Sequence, residues 1–130
     1  MGRGPARSIL PNSEDVNEAA FAYYAPLERA RQYVERTLPR AIALGDAARA
    51  AGLERTYFSS YFHAKVGLRF SQWVAGLRIQ RSMAILRSRD ETITELALAV
   101  GFQDLRSFER AFRRWTAMTP RAYKKLVRPC

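Results

Sequence analysis

Apolar residues recur at intervals of three and four along most of the chain, which is the spacing of one buried face of an α-helix. One such row is Leu27, Ala30, Val34 and Leu38. Pro26 suits the first turn of this helix, whereas Pro39 should end it. From residue 43 onward, the alternation of apolar and polar positions that is typical of strands is absent. The pattern therefore predicts an all-α protein with about seven helices.

Residues 70–88 form the longest predicted helix, and apolar side chains occupy more than one of its faces. Such a helix should be buried on several sides. Thr92 and Glu95 have the spacing of a capping box at the start of a later helix. Asp104 and Thr119 are good N-caps for the last two helices. The connections between these helices are therefore expected to be short.

Two segments, residues 46–62 and 94–112, resemble each other. Each contains a short Ala-rich helix, then a glycine with a large apolar residue after it, and then two phenylalanines four residues apart. The glycines and phenylalanine pairs are Gly52 with Phe58 and Phe62, and Gly101 with Phe108 and Phe112. Glycine supplies a turn conformation that a Cβ would hinder. Two copies joined by a long buried helix predict two helix-turn-helix units.

The chain is strongly basic, with 22 Lys and Arg against 12 Asp and Glu and a formal net charge of +10. The excess lies after residue 24, because residues 1–24 contain two arginines and three acidic residues. A basic folded region indicates a polyanionic partner, either nucleic acid or an anionic membrane. The membrane alternative is weaker, since the basic residues are spread over several helices and no helix has a strongly basic amphipathic face.

Several classes of protein are excluded by what the sequence lacks. One cysteine, Cys130, and one histidine permit neither an intramolecular disulfide nor a Cys/His metal cluster. Without a Gly-rich phosphate loop, a nucleophile beside a base or a convergent carboxylate pair, we expect neither an enzyme nor a cofactor. No run of 18 apolar residues and no signal-peptide core occur. We therefore expect no membrane association and a cytoplasmic location.

The residues of the repeat make the chain from about 27 to 127 similar to the DNA-binding domain of the AraC/XylS family of bacterial transcriptional regulators. The second half matches most fully, at Gly101-Phe102, Phe108, Phe112, Thr119-Pro120 and Tyr123. The first half and the connector match at Leu44, Ala48, Gly52, Phe58, Phe62, Gly67, Phe70, Trp73, Leu77-Arg78 and Leu86. The resemblance implies two helix-turn-helix units that read two successive major grooves. The family usually has a glycine where Ala117 stands and a Ser or Thr cap near Ala43.

We therefore expect four parts in the chain. They are a tail or interdomain linker (1–24), a first helix-turn-helix subdomain (25–69), a connector helix (70–89) and a second helix-turn-helix subdomain (90–130). Phe21, Tyr23 and Tyr24 are candidates to pack on the first subdomain. In the connector, Arg78 is expected to form a structural ion pair rather than to contact DNA.

Helical geometry places candidate DNA-contacting residues opposite the phenylalanine pairs, at about 100° per residue. The residues that point outward in this way are Thr56, Ser60 and His63 in the first recognition helix, and Arg106, Arg110 and Arg113 in the second. The resemblance adds Arg55, Ser59, Ser107 and Glu109 as positions that often reach DNA. Arginine can donate two hydrogen bonds to guanine, whereas Glu109 could accept from cytosine or hold a neighbouring arginine.

The predicted site therefore has two classes of contact. Base contacts are expected from Arg55, Thr56, Ser59, Ser60, Arg106, Ser107, Glu109 and Arg110, and phosphate contacts from His63, Lys65, Arg113, Arg114, Arg121 and Lys124. The second helix carries the arginines and the first carries hydroxyls, so the stronger base reading is expected in the second. Arg106 near a helix start is disfavoured by the helix dipole in an isolated protein, and DNA phosphates would compensate for this.

These features favour a sequence-specific transcriptional regulator whose partners are double-stranded DNA and RNA polymerase. One alternative is a protein that coats nucleic acid without sequence preference. Another is the DNA-binding half of a larger ligand-responsive regulator whose effector-sensing domain is absent from this chain. The linker-like composition of residues 1–24 favours the latter, whereas Met1 at the start suits a small stand-alone family member.

Overall fold

The computed structural model describes residues 16–129 of the 130-residue chain. Within this part there are eight α-helices and no strand, so the predicted all-α fold is confirmed. The helices are α1 (Ala19–Tyr23), α2 (Ala25–Thr37), α3 (Leu44–Ala51), α4 (Arg55–Val66), α5 (Phe70–Ser88), α6 (Ile93–Ala99), α7 (Leu105–Thr116) and α8 (Pro120–Val127). Most of the predicted tail, residues 1–15, lies outside the described residues, as does Cys130.

The additional helix, α1, belongs to the segment that was expected to be a tail or linker. It exists because Phe21 is buried, with 4% of its surface exposed, and stacks on Trp73 at a ring-centroid distance of 5.0 Å. Tyr24 packs edge-on against Tyr61 of α4, whereas Tyr23 is 79% exposed. The local sequence around α1 has no clear helical period, so burial of one aromatic ring decides its position.

The described residues fall into two compact units, one ending at Val74 and the other beginning at Ala75. Helix α5 begins in the first unit and continues in the second. In the first unit, α2 packs on α3 and α3 packs on α4. Phe62 of α4 lies at the centre of an aromatic cluster, with its ring 5.3 Å from the rings of Phe70 and Trp73. Each unit thus has its own core.

The turn between α3 and α4 depends on Gly52, whose φ of 77° lies in the left-handed region. The amide of Gly52 donates to the carbonyl of Arg49 and the amide of Leu53 to that of Ala48, which closes the end of α3. Arg29 of α2 donates to two further carbonyls at this helix end, from Nη2 to Ala51 at 2.7 Å and from Nε to Ala50 at 3.2 Å. These bonds join α2 to the helix-turn-helix.

In the second unit, Phe108 and Phe112 of α7 are fully buried, and Phe112 packs on Tyr123 of α8. Arg78 of α5 is 8% exposed, and its Nη1 donates to the carbonyl of Val100 at 3.0 Å. Burial lowers the pKa of Arg78, and the nearby charge of Arg81 lowers it further. The expected structural role of Arg78 therefore includes binding a carbonyl at the C-terminal end of α6.

The predicted N-caps are confirmed. The side chains of Thr92, Asp104 and Thr119 accept hydrogen bonds from the amides three residues later, at 3.1, 2.7 and 3.0 Å. Glu54 caps α4 in the same way, accepting from the amide of Tyr57 at 2.9 Å. Helix α3 begins after Ala43 without a side-chain cap. Four of these five helices, α4, α6, α7 and α8, thus begin at a residue whose own side chain caps them, and α3 is the exception.

Ala117 ends α7 with a φ of 63°, a left-handed conformation that costs a residue with a Cβ about 1 kcal/mol. We expect Ala117→Gly to raise the free energy of unfolding by about 0.5 kcal/mol, because the greater freedom of glycine in the unfolded chain offsets part of the gain. The control is Ala84→Gly, at an exposed position inside α5, which should lower it by about 1 kcal/mol. Denaturant titration measures both. Equal losses would contradict the strain at Ala117.

Gly76 in α5 lies against the buried ring of Trp115, and a Cβ there would be 2.8 Å from Cε2 and Cζ2 of the indole. We expect Gly76→Ala to lower the free energy of unfolding by about 1–3 kcal/mol, because the ring has to move. Gly45→Ala in α3 is the matched control, since no heavy atom lies within 4 Å of its Cβ position. It should be neutral or slightly stabilising in the same denaturation experiment. A neutral Gly76→Ala would mean that the contact is not tight in solution.

Candidate nucleic-acid interface

Helix α4 places its candidate residues as the sequence predicted. Phe58, Phe62 and Val66 are fully buried. The exposed candidates are Arg55, Thr56, Ser59, Ser60 and His63. The helix therefore has one face in the core and a surface of short hydroxyl side chains flanked by Arg55 and His63.

Tyr57 also belongs to the exposed surface of α4, and sequence reasoning missed it. It is 56% exposed and lies three positions before Ser60, which places it about 60° from Ser60 around the helix. A helical wheel centred on the outward residues, rather than on the phenylalanines, would have included Tyr57 in the exposed surface. Its phenol adds a hydrogen-bond donor to this surface.

Helix α7 has the more cationic outer face. Phe108 and Phe112 are fully buried and Trp115 is 4% exposed, so the remaining face points to solvent. The exposed candidates are Arg106, Glu109, Arg110, Arg113 and Arg114, and Ser107 is partly buried. Because Arg106 and Arg110 are four residues apart, they lie one turn from each other on the same face. Arginine donors are thus presented in a row along the helix.

Asp104 lies in the turn before α7, close to this row. Its Oδ1 accepts from the amide of Ser107 at 2.7 Å and its Oδ2 accepts from the hydroxyl of Ser107 at 3.1 Å. These bonds lower the pKa of the Asp104 carboxyl, and the charges of Arg110 and Arg106 lower it further. The carboxylate thus compensates for a cation at the helix start within the protein itself. The hydroxyl of Ser107, a predicted base contact, is already occupied.

A groove of about 590 Å³ in the second unit lies among the start of α6, the outer side of α7 and α8. It brings together three of the predicted site residues, Glu109, Arg121 and Lys124. Two further cations, Lys125 and Arg128, also line it. The groove therefore has a strong excess of positive charge, with Glu109 as an acceptor among the donors.

Lys124 is less available than its position suggests. Its ammonium contacts Oδ1 of Asp90 at 3.0 Å and donates to the carbonyl of Glu91 at 2.6 Å. The hydrogen bond from Lys124 also lowers the pKa of Asp90. A phosphate contact at Lys124 would have to compete with these partners, whereas Arg121 is exposed in the same groove.

Other kinds of site are not evident in the described part of the chain. Residues 16–129 contain no group of three or more metal-ligating side chains. None of the helices in this range combines the length and the apolar character needed to cross a membrane.

Comparison with known proteins agrees with the helix-turn-helix fold. The family model described as "Helix-turn-helix domain" matches residues 47–126. A crystal structure of a transcriptional regulator from Chromobacterium violaceum, which contains an AraC-type DNA-binding domain, superposes with a TM-score of 0.75. It is 23% identical and covers 84% of this chain and 98% of that one. The chain belongs to the AraC-type helix-turn-helix family. This family and its fold are those of DNA-binding transcription regulators.

One curated relative and one further solved structure are also similar to this AraC-type domain. An uncharacterised HTH-type transcriptional regulator of Bacillus subtilis, YobQ, is 33% identical over 95 residues, which is 73% of this chain. The chain spans 39% of that regulator's length. The DNA-binding domain of AdpA, solved in complex with a target DNA, has a TM-score of 0.68 and 23% identity. It covers 80% of this chain and 96% of that one.

The lowered pKa of Asp104 predicts a pH-dependent contribution to stability. A carboxyl whose pKa falls on folding stabilises the fold above its unfolded pKa, and this contribution is lost as the pH falls through the folded pKa. Asp104→Asn keeps a capping acceptor but removes the charge. We expect the variant to be less stable than the wild type near neutral pH, the difference to shrink as the pH falls below about 4, and to vanish once the pH lies below the folded pKa. Urea unfolding at a series of pH values measures it. A difference that persists in acid would contradict the role of the charge.

Proposed function

We propose that the protein is a sequence-specific regulator of transcription that inserts α4 and α7 into successive major grooves of double-stranded DNA. The observation that carries the proposal is the outer face of α7, where exposed Arg106, Arg110 and Arg113 lie opposite two fully buried phenylalanines. A rigid helix with a row of arginines fits the major groove, where arginine recognises guanine. The AdpA domain, which has a similar fold, was solved in complex with a target DNA, and this supports DNA binding by the present chain.

The two helices contribute different chemistry in this proposal. Arg106 and Arg110 donate pairs of hydrogen bonds to guanine, and Glu109 accepts from cytosine or orients Arg121 across the shared groove. In α4, Arg55 and the hydroxyls of Thr56, Ser59 and Ser60 reach bases with less discrimination. His63, Lys65, Arg113, Arg114, Arg121 and Lys124 hold the phosphates and set the register of the protein on DNA.

The remaining partners are proposed on the basis of the family. RNA polymerase is the expected partner of a regulator bound at a promoter. Because the chain spans about two fifths of the length of its relative YobQ, a ligand-sensing domain could act with it in a longer protein. We regard sequence-specific DNA binding as the activity that this domain itself provides.

Selection of bound sequences from a random duplex pool tests the proposal directly. If both helices read bases, the selected sequences should contain two half-sites about one helical turn, roughly 34 Å, apart. Enrichment of one half-site would restrict base reading to one helix. Recovery without any enriched motif would favour the alternative, a protein that coats nucleic acid without sequence preference.

We expect Arg106→Ala and Arg110→Ala each to weaken binding to the selected duplex by roughly 1–3 kcal/mol, and to weaken binding to a scrambled duplex less. The reason is that the scrambled duplex keeps the phosphates but loses the matched guanines. Arg36→Ala, at an exposed position of α2 outside the proposed interface, is the control for removal of one charge. Gel-shift titration measures the affinities. An equal loss on both duplexes would contradict base reading by these arginines.

A further inference from the structure

One flank of α4 carries a continuous row of aromatic rings that ends at a cation. Tyr57, Tyr61 and Lys65 follow each other at intervals of four residues, so they lie along one side of the helix. The rings of Tyr57 and Tyr61 are 5.7 Å apart between centroids, and Tyr24 packs edge-on against Tyr61 at 5.9 Å. We call Tyr57, Tyr61, Tyr24 and Lys65 the tyrosine–lysine row.

The ammonium of Lys65 is held by the two inner rings of this row. Its Nζ lies 4.8 Å from the ring centroid of Tyr24 and 5.8 Å from that of Tyr61. Both distances are within the range of a cation–π interaction. Held in this way, the Lys65 side chain has already lost rotamer freedom in the free protein. Binding an anion therefore costs it less conformational entropy. The row therefore presents a preorganised cation on the side of α4.

The segment before α2 is joined to the same end of α4 by hydrogen bonds. The side-chain amide of Asn17 donates to the carbonyl of Lys65 at 3.1 Å, and its backbone amide donates to that of Val66 at 2.8 Å. Phe21 adds an edge contact with Phe62 at 6.0 Å. Tyr24 is therefore fixed beside Lys65 by several contacts and not by one ring alone.

The position of the row around α4 indicates what it can reach. Tyr57 lies about 60° from Ser60, which is in the middle of the outward face, and Tyr61 and Lys65 lie about 100° and 140° from it. If the outward face contacts the base edges on the floor of a major groove, the flank with Tyr57 and Tyr61 faces the phosphates along the wall of that groove. The contact of the Lys65 ammonium with the Tyr61 ring directs the ammonium towards the same flank. Phenol hydroxyls and ammonium groups both donate hydrogen bonds, and phosphate oxygens accept them.

We propose that the tyrosine–lysine row binds the phosphate backbone of one DNA strand beside α4. Tyr57 donates its hydroxyl to a phosphate oxygen, while Tyr24 and Tyr61 position the ammonium of Lys65 for a second phosphate. The inference rests on the proposed function, in which α4 lies in a major groove. It adds one DNA contact and two positioning residues to the interface. One of them, Tyr24, precedes the region matched by the family model, residues 47–126.

Tyr57→Phe tests the hydroxyl, because it keeps the ring and its packing on Tyr61. We expect the affinity to fall about fivefold on both the selected and the scrambled duplex, since a phosphate is present in each. Tyr33→Phe, a partly buried tyrosine of α2 outside the row, is the matched control and should bind as the wild type does. Unchanged affinity of Tyr57→Phe for both duplexes would overturn the contact.

Ethylation interference identifies the phosphate. Ethylation of that phosphate should weaken binding of the wild type and leave Tyr57→Phe unaffected, whereas the other contacted phosphates should show interference with both proteins. If the two proteins give the same interference pattern, Tyr57 has no phosphate partner and this part of the inference fails.

The positioning role of Tyr24 is tested against Lys65. Lys65→Ala should weaken binding and reduce the salt dependence by about one unit of log–log slope. Tyr24→Phe keeps the ring and should retain the affinity of the wild type, whereas Tyr24→Leu should lose affinity. In the Tyr24→Leu background, Lys65→Ala should cost less than it does alone. Fully additive losses, or equal effects of Leu and Phe, would overturn the positioning role. Thermal unfolding of each variant separates loss of binding from loss of the fold.

The outcomes also separate this inference from the proposed function. If the wild type binds the selected and scrambled duplexes equally, sequence-specific regulation fails, and the effect of Tyr57→Phe is still measured on either duplex. If the wild type discriminates between the duplexes while the Tyr57 and Tyr24 variants behave like it, the proposed function stands and the tyrosine–lysine row does not bind DNA.

Discussion

The burial of two phenylalanines four residues apart is the interaction on which both recognition helices depend. Phe58 and Phe62 in α4, and Phe108 and Phe112 in α7, have no exposed surface. Two large rings on one side of a helix of about three turns fix its rotation about its own axis, because any other rotation would bring apolar surface into water. The opposite face is therefore exposed by necessity. Which side chains can meet DNA follows from where the rings are buried.

Both recognition helices bury a phenylalanine pair, but their exposed surfaces differ. Helix α7 carries a row of arginines, and the charge that they place at a helix start is opposed by the carboxylate of Asp104. The sequence suggested that the phosphates of DNA would be needed to compensate for Arg106, but the structure supplies a local counter-charge as well. Helix α4 carries short hydroxyls in the middle of its outer face and an aromatic flank ending at Lys65. These surfaces fit the proposed functions, in which the arginines of α7 recognise bases and the aromatic flank of α4 binds the phosphate backbone.

Signals that act over a few residues were sufficient to derive most of the fold. Helical periodicity, the caps at Thr92, Asp104 and Thr119, and the turn at Gly52 involve partners within five positions of each other. Their energies do not depend on how distant parts of the chain pack, so they can be read from local sequence. The duplication of this pattern, together with its phenylalanine pairs, then indicated the helix-turn-helix architecture and the outward residues of both recognition helices.

Contacts between residues far apart in the chain could be known only after the helices had packed. Helix α1 forms because Phe21 meets Trp73, and Arg29 closes the end of α3 from a different helix. Lys124 is bound to Asp90, more than 30 positions away, which reduces its availability for phosphate. No periodicity encodes such pairs, because they depend on which faces meet and on the distances that packing sets. Local sequence thus decided which residues form helices and face outward, while tertiary packing decided which of those residues already have a partner.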